Sequence, residues 1–351
     1  MMLSLALALA SHVHGAGQLP GKPVRVGVYW WDGWWEGSPY IREPLTSEFK
    51  EREPVYGWRS DSPEVMDQTL EWLSSRHLDF ICFLWYERGA WKFPGERPSD
   101  LMDTGLDLYL KSPLKSRVQF SLMWTQAVPP ERLGQVTAEW LTYFRDPQYL
   151  RIEGKPVLYV YSDALDGAPG GDEGFGGEVQ RIRDAVAAAG LLGLYLVACH
   201  WNTQQTQRYR VLGFDASTSY VQLTNDPGAT PYSRLVECNR QAWDAAPTDL
   251  PYLPSVTSGW DGRPRAGSME GYKTWYVGRT PEQLRDYVRS GLQWIAAHPD
   301  RVPPEPLLTI YAWNEVDEGG YLVPTKAEGT TMIDALGEAV EGFLRPPFRD
   351  E

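Results

Sequence analysis

Cysteine is scarce in this 351-residue sequence, which contains three of them. Three cysteines do not build a disulfide framework, so a fold held together by disulfide bonds is excluded. Cys82 and Cys199 lie inside apolar runs that are typical of strands. We therefore interpret both as small hydrophobic side chains that are buried in the core.

Basic residues are also few, because 33 Lys and Arg stand against 46 Asp and Glu, for a net charge of −13. Nucleic-acid partners require clustered Lys and Arg, so this balance disfavours a nucleic-acid partner. The same balance makes a polyanionic substrate less favourable, although it does not exclude a local basic patch.

A long hydrophobic run is missing at the N-terminus, where the apolar run Leu3–Ala10 is too short to span a membrane. We expect no membrane insertion. Residues 1–17 resemble a secretory signal peptide, since small residues follow the apolar run, but a positively charged start is absent. We expect a secreted or periplasmic protein; the alternative is a frayed or mis-started N-terminus.

Several motifs of known chemistry are absent from the sequence. No HExxH or CxxC motif indicates a zinc or redox site, and no GxSxG motif indicates an α/β-hydrolase nucleophile. The acidic stretch 315–318 lacks the alternating oxygen ligands of a calcium loop. We therefore expect neither a metal ion nor a cofactor.

Apolar runs rich in β-forming residues recur along the chain and predict eight strands. They cover 24–31, 78–86, 118–125, 156–162, 194–201, 214–220, 253–260 and 306–313. Patterns with helical spacing lie between most of them and predict helices over 60–76, 129–145, 177–190, 280–298 and 330–344. In the first of these, Ser62 is a plausible N-cap and Pro63 takes the first helical position.

This alternation of buried strands and helices predicts the α/β class, as a (β/α)₈ TIM barrel with enlarged βα loops. The alternative, a doubly wound open sheet, usually has a glycine-rich phosphate loop after its first strand, where this chain has DGWWEGSP. Length alone permits one or two domains. We expect residues 18–351 to form one catalytic domain and the protein to be a monomer.

Aromatic residues are unusually abundant, with 16 Trp and 19 Tyr. Many of them stand beside polar residues at the C-terminal ends of the predicted strands, the end of a barrel that carries its active site. Indole and phenol rings at such a rim stack on sugars, which predicts an oligosaccharide or polysaccharide substrate. The predicted substrate-binding residues are Trp30, Trp31, Asp32, Trp85, Tyr86, Trp124, Tyr161, His200, Trp201, Tyr220, Trp260, Asp261, Trp313 and Asn314.

Some of these residues have an equally reasonable structural interpretation. Asp32 and Asp261 either bind sugar hydroxyls or brace loops. His200 either binds a sugar hydroxyl or is a core histidine with its hydrogen bonds satisfied.

The stretch WNEVDEGG follows the last predicted strand and carries three carboxyl groups. Glu315 and Glu318 are three residues apart, so their Cα atoms lie within ~10 Å and their carboxyl groups can meet at ~5–9 Å. Glycosidases place two carboxyl groups at such a separation, and their mutual repulsion raises the pKa of one. The spacing permits two interpretations of Glu315 and Glu318, a catalytic pair or solvated loop acids. We interpret Asp317 as structural or solvated.

Three stretches carry a resemblance to a known family. FRDPQYLRIEGKPVLYVY (144–161), TSGWDGRPR (257–265) and TIYAWNEVDEGGYLVPT (309–325) are similar to segments of the glycoside hydrolase family 99-like group. This group includes endo-α-mannosidases and the WbsX-type proteins of polysaccharide gene clusters. The sequence departs from the group's pattern at LMWTQA, where many relatives have a WAN-type motif, and at Val316.

The resemblance implies a retaining, endo-acting glycosidase of polysaccharide degradation that uses the substrate's own 2-hydroxyl. In the implied mechanism Glu315 deprotonates that hydroxyl, which attacks the anomeric carbon and gives a 1,2-anhydro sugar. Glu318 protonates the leaving oxygen and then activates water. The alternatives are a non-catalytic glycan-binding or assembly protein on the same barrel, and a biosynthetic enzyme that binds sugar nucleotides.

Overall fold

The computed structural model describes residues 23–88, 101–200, 205–265 and 273–344. The predicted signal segment 1–17 and the predicted site residue Trp201 lie outside the described residues. Within the described ranges, no helix combines the length and the apolar character that crossing a membrane requires.

Parallel strands form a nearly closed barrel, which confirms the predicted fold. In chain order the strands are β1 (Arg25–Trp30), β2 (Phe80–Trp85), β3 (Gln119–Trp124), β4 (Lys155–Tyr161), β5 (Tyr195–His200), β6 (Ala216–Ser219), β7 (Tyr252–Leu253 and Ser255–Thr257) and β8 (Leu307–Tyr311). Each strand pairs with the next, and β8 pairs with β1 through Arg25 opposite Leu307. Short strands outside the barrel cover Arg151–Ile152, Gly228–Pro231, Thr274–Val277, Asn314–Glu315 and Gly320–Tyr321.

The seventh strand is interrupted at Pro254, so that nine parallel segments occupy eight positions. Proline has no N–H to donate to a ladder. The Pro254 carbonyl still accepts a bond from the Thr309 amide of β8 at 3.3 Å. This bond keeps the chain between the two halves of β7 next to β8. The first half pairs with β6 and the second with β8, so the barrel is continuous except at the interruption within β7.

Helices lie between the strands. They are α1 (Leu45–Glu48), α2 (Pro63–Ser75), α3 (Thr104–Lys111), α4 (Leu133–Phe144), α5 (Ser162–Asp166), α6 (Gly171–Ala188), α7 (Thr206–Val211), α8 (Tyr232–Ala245), α9 (Pro281–Ala297) and α10 (Thr331–Leu344). Short 3₁₀ turns cover Lys50–Arg52, Lys115–Arg117 and Arg263–Arg265. Helix α2 begins at Pro63 as predicted, with the Ser62 side chain accepting a bond from the Val65 amide.

Five helices were missed by the sequence analysis, namely α1, α3, α5, α7 and α8. The first four are only 4, 8, 5 and 6 residues long, too short for a helical period to stand out. In α8 a fully buried Asn239 interrupts the apolar stripe. Its amide donates to the Gln222 carbonyl at 2.7 Å, which satisfies a polar group at a core position.

Candidate active site

The three acids of the motif after β8 lie on a small hairpin at the C-terminal rim of the barrel. Residues Asn314–Glu315 pair with Gly320–Tyr321 as an antiparallel ladder, and a tight turn joins them. Glu315, Asp317 and Glu318 are all buried, with 3%, 2% and 6% of their surface exposed. These acids are therefore not the solvated loop acids that the sequence also allowed.

The two glycines of this motif shape the hairpin. Gly319 adopts a φ of 73°, a left-handed conformation that glycine tolerates best. A Cβ atom on Gly320 would lie 2.1 Å from the ring of Tyr311. Glycine at position 320 thus leaves room for that ring, whose hydroxyl donates to Oε2 of Glu318 at 2.5 Å.

One guanidinium group contacts all three acids. Arg265 donates from Nε to Oδ2 of Asp317 at 2.5 Å and from Nη1 to Oε1 of Glu318. Its Nη2 atom lies 3.6 Å from Oε2 of Glu315, which is beyond hydrogen-bond distance. The Arg265 side chain is only 13% exposed and lies over the rings of Trp31 and Tyr40, at 4.8 and 5.2 Å from their centroids.

The two glutamates therefore have different surroundings. Oε1 of Glu315 accepts a bond from the Tyr220 hydroxyl at 2.7 Å. Oε2 of Glu315 is buried and has no hydrogen-bond partner among the described residues. Glu318 instead accepts from both Arg265 and Tyr311.

Electrostatics separates the members of the cluster further. Burial raises the pKa of Glu315 well above its ordinary value, and the charge of Glu318 raises it more, against the opposing effect of Arg265. Burial also raises the pKa of Asp317, which Arg265 counteracts. Although burial by itself lowers the pKa of Arg265, the surrounding acids raise that pKa above its usual value, so Arg265 stays charged.

The predicted rim aromatics divide into two groups according to the side of the barrel wall on which they lie. Tyr161 and Trp260 are within 5.3 Å of the Tyr220 ring and 5.9 Å of the Tyr311 ring, respectively. Trp31 contacts Arg265, and Tyr86 shares a hydrogen bond with Trp31. The predicted residues that the structure brings to the acid cluster are thus Trp31, Tyr86, Tyr161, Tyr220 and Trp260.

The other four rings pack away from the acid cluster. Trp85 and Trp124 lie 5.0 and 5.3 Å from the ring of Trp140 in α4, and Trp313 lies 6.2 Å from Trp72 in α2. Trp30 packs on the outward-facing Phe83 of β2. Each is at most 1% exposed. The structure thus corrects the expectation that these four rings contact a glycan, because they belong to the core between barrel and helices.

The predicted polar residues brace the rim. Asn314 receives the Trp31 amide on Oδ1 at 3.0 Å and donates from Nδ2 to the Trp31 carbonyl at 2.8 Å. Asp261 pairs with Arg52 and Arg263. Asp32 accepts bonds from the Trp30 indole and from the Gly105 amide at the start of α3. Asp32 and Asp261 therefore brace loops, the structural interpretation of the two that the sequence left open, and Asn314 ties β1 to the hairpin.

His200 also faces away from the acids. Its ring stacks on Tyr209 of α7 at 5.0 Å, on the opposite side of β5 from Cys199, which contacts the barrel-lining Tyr29. Burial lowers the pKa of His200 to about 4, so the ring is neutral at pH 7. Both ring nitrogens lack a hydrogen-bond partner among the described residues, so His200 is a core histidine whose hydrogen bonds are not satisfied there.

Sequence reasoning missed Arg265, Tyr311 and Tyr40 as residues of this site. Arg265 lies in TSGWDGRPR, the motif at the end of β7, and its position within that motif was the available signal. Tyr311 stood inside an apolar run, where its hydroxyl gave no sign of a polar partner. The catalytic roles of Glu315 and Glu318 stay predictions.

Solved structures with a similar fold include several carbohydrate-active proteins. One described as a glycoside hydrolase-like protein has a TM-score of 0.64 at 14% identity, over 95% of this chain and 97% of that chain. The GH99 endo-α-mannosidase from Bacteroides thetaiotaomicron has a TM-score of 0.60 at 15% identity, over 92% and 98%. At these identities the likeness establishes the fold alone.

Two curated relatives match part of the sequence. They are the uncharacterized WxcX proteins of two Xanthomonas campestris pv. campestris strains, each 27% identical over 214 residues. The match covers 56% of this chain but only 28% of those proteins, so the chain spans a minor part of their length. A family model described as glycosyltransferase WbsX matches residues 115–336, well over half of the sequence, and the chain belongs to this WbsX family.

Proposed function

We propose that this chain is a retaining, endo-acting glycoside hydrolase that cleaves an oligosaccharide or polysaccharide. The observation that carries the proposal is the buried pair Glu315 and Glu318, which shares the guanidinium of Arg265 at the rim of the barrel. Five aromatic residues around this pair supply the stacking faces that sugars favour. The similarity to a GH99 endo-α-mannosidase fold supports the same function.

In the proposed reaction Glu315 takes the proton of the sugar's 2-hydroxyl while that oxygen attacks the anomeric carbon. The raised pKa of Glu315 makes its carboxylate form a stronger base toward a hydroxyl group. Glu318 protonates the departing glycosidic oxygen, and a 1,2-anhydro sugar results. In the second step water gives a proton to Glu318 and attacks the anomeric carbon, while Glu315 returns its proton to the 2-oxygen as the ring opens. The anomeric configuration is retained overall.

Hydrogen bonds orient both carboxyl groups, which supports these proposed roles. Tyr220 fixes one oxygen of Glu315, and the other oxygen is buried and has no hydrogen-bond partner among the described residues. Tyr311 fixes one oxygen of Glu318. Such preorganisation avoids reorienting the carboxyl groups during the reaction.

The experiment is product analysis on a panel of oligosaccharides and polysaccharides, with the anomeric configuration of the first product followed by NMR. Glu315→Gln and Glu318→Gln should each lower turnover by orders of magnitude while folding and glycan binding persist. Glu305→Gln, at the opposite end of the barrel beside Arg25, is the matched control and should keep wild-type turnover. Full activity in either site variant contradicts the assignment, and binding without product favours a non-catalytic glycan-binding protein.

A second candidate follows from the description of the family as a glycosyltransferase. A transferase that uses sugar nucleotides must recognise a diphosphate, and the sequence lacks both a glycine-rich phosphate loop and a DxD motif. The four charged groups of the site, three acids and one arginine, also disfavour a diphosphate. Binding of nucleoside-diphosphate sugars by calorimetry, with transfer to an acceptor, would favour this candidate over hydrolysis.

A further inference from the structure

Arg265 forms a hydrogen bond with Glu318 but not with Glu315. It donates from Nη1 to Glu318, while its Nη2 remains 3.6 Å from the buried Oε2 of Glu315. Asp317 accepts bonds from both Nε and Nη2 of the same guanidinium, at 2.5 and 3.2 Å. Asp317 thus anchors an arginine that is within reach of both catalytic candidates.

The cluster contains three buried carboxyl groups and one guanidinium. Three buried negative charges against one positive charge are costly, and binding one proton reduces the excess. Asp317 and Glu318 both accept bonds from Arg265, as ionised carboxylates do. The proton therefore belongs on Glu315, in agreement with the raised pKa of that residue, which has burial as its main cause.

The proposed reaction requires the opposite distribution at the moment of bond cleavage. Glu315 must then be a carboxylate that accepts the 2-hydroxyl proton, and Glu318 must carry the proton that the leaving oxygen receives. Something in the site has to exchange the protonation states of the two glutamates after the glycan binds.

We propose that Arg265 is a positioning residue that decides which glutamate carries the single proton, by pairing with Glu318 in the free site and with Glu315 once a glycan is bound. This inference rests on the proposed hydrolase function. When Arg265 moves to Glu315, one proton leaves Glu315 and one is gained by Glu318, so the charge of the pair is unchanged. The arginine itself stays protonated throughout.

The geometry makes this exchange a small movement. The Nη2–Oε2 separation has to shorten from 3.6 Å to the ~2.9 Å that is usual for an N–H···O hydrogen bond. In such a shift Nε keeps its bond to Asp317, the second N–H of Nη2 turns to Glu315, and the bond from Nη1 to Glu318 breaks. The rings of Trp31 and Tyr40 contact the guanidinium through cation–π interactions. These contacts do not determine which carboxyl group each N–H of Arg265 bonds to.

Other titratable groups facing the pair stay neutral. The hydroxyls of Tyr220 and Tyr311 bond to the glutamates, and burial raises the pKa of both well above the usual value. Burial also raises the pKa of Tyr86, and that of Tyr40 to about 12. Near neutral pH the charge of the described cluster is therefore set by its three acids and Arg265.

The free-site part of the proposal is tested without any substrate. NMR of protein labelled with ¹³C at the glutamate carboxyl carbons reports protonation, and the Glu315→Gln and Glu318→Gln variants assign the two signals. At pH 7 the wild-type Glu315 signal should be that of a protonated carboxyl and the Glu318 signal that of a carboxylate. Arg265→Gln should move the Glu318 signal to the protonated position.

The matched control is Arg263→Gln, which removes an arginine two positions away that pairs with Asp261 and lies 43% exposed. It should leave both signals in place. Where Arg265→Gln fails to fold, Arg265→Lys keeps the charge but replaces the fork by one ammonium group, and it should still disturb the Glu318 signal. The proposal is overturned if the wild-type Glu318 signal is that of a protonated carboxyl. It is also overturned if the two glutamate signals are the same in wild type and in the Arg265 variants.

The exchange itself is tested with the oligosaccharide product that the wild-type protein releases in the substrate panel. At saturating product the Glu315 signal should become that of a carboxylate, and the Glu318 signal should become that of a protonated carboxyl. Signals that stay in place overturn the proposed movement. If the panel yields no product, the hydrolase proposal fails, whereas the free-site measurements still decide the role of Arg265.

Discussion

The hydroxyl of Tyr220 donates to Oε1 of Glu315 at 2.7 Å, across the barrel from β6 to the hairpin after β8. Tyr220 is itself buried, and its ring lies 5.1 Å from that of Tyr29 and 5.0 Å from that of Tyr311. These ring contacts fix the position of the hydroxyl. The Tyr220 hydroxyl has little freedom to move, so its hydrogen bond holds the carboxyl group of Glu315 in one orientation.

Replacing Tyr220 by Phe keeps the ring contacts and removes this hydrogen bond. Because a hydrogen bond to a charged group contributes about 1.5–3 kcal/mol, we expect kcat to fall by about 10-fold or more. The free energy of unfolding should fall as well, by about 1–3 kcal/mol, because the buried Oε1 of Glu315 loses its donor. Tyr195→Phe, at the start of β5, is the control for a generic loss of a tyrosine hydroxyl, and equal kinetics in both variants would show that Tyr220 does not act on Glu315.

Trp31 and Trp124 represent the two groups of rim aromatics and allow a test of the division between them. Trp31 contacts Arg265 at the acid cluster, while Trp124 packs against Trp140 and Phe175. We expect Trp124→Ala to lower the free energy of unfolding by about 3–5 kcal/mol, measured by urea denaturation, since it opens a cavity in the core. Trp31→Ala should instead raise KM or lower kcat in a protein that still folds. A Trp124→Phe variant with impaired glycan binding but normal stability would contradict this division.

His200 tests whether a histidine at a strand end serves the core or the substrate. We expect His200→Phe to keep kcat/KM within about threefold of wild type, because the ring stacks on Tyr209 and not on the acid cluster. The wild-type pKa of about 4 lies below the usual ~6.5, so the folded state resists protonation. Wild type should therefore lose stability relative to His200→Phe as pH falls from ~6.5 towards 4, as measured by urea unfolding. A large loss of activity in the variant would restore the substrate-binding role.

The barrel was predictable because its strands are buried on both faces and leave continuous apolar runs in the sequence. The side of the wall on which each ring lies was not predictable in the same way. Trp30 and Trp31 are neighbours in the sequence, yet one packs toward the helices and the other contacts Arg265. Only the direction of each side chain from its strand makes this distinction, and composition does not report it.

The acid pair and the arginine illustrate the same limit. Glu315 and Glu318 were recognisable because their spacing lets two carboxyl groups meet and because their motif resembles one of a known family. Arg265 comes from the end of β7 and reaches them only through the closure of the barrel, 50 residues earlier in the chain than Glu315. Contacts between distant segments depend on the fold, so sequence reasoning interpreted Asp317 without the arginine that it anchors.

Asp32 makes a prediction about the pH dependence of stability. Burial raises its pKa to about 7, although bonds from Trp30 and Gly105 oppose the rise. The unfolded carboxyl has a pKa near ~3.9, so between about pH 4 and 7 the folded state binds a proton that the unfolded state lacks. The contribution of Asp32 to stability is therefore complete below pH ~4 and is lost as pH rises through 7. The side chain of Asp32→Asn stays neutral. As pH rises from about 4 to 7, the free energy of unfolding of this variant, measured in urea, should therefore increase relative to that of wild type. A difference that does not change with pH would show that Asp32 is ionised throughout in the folded protein.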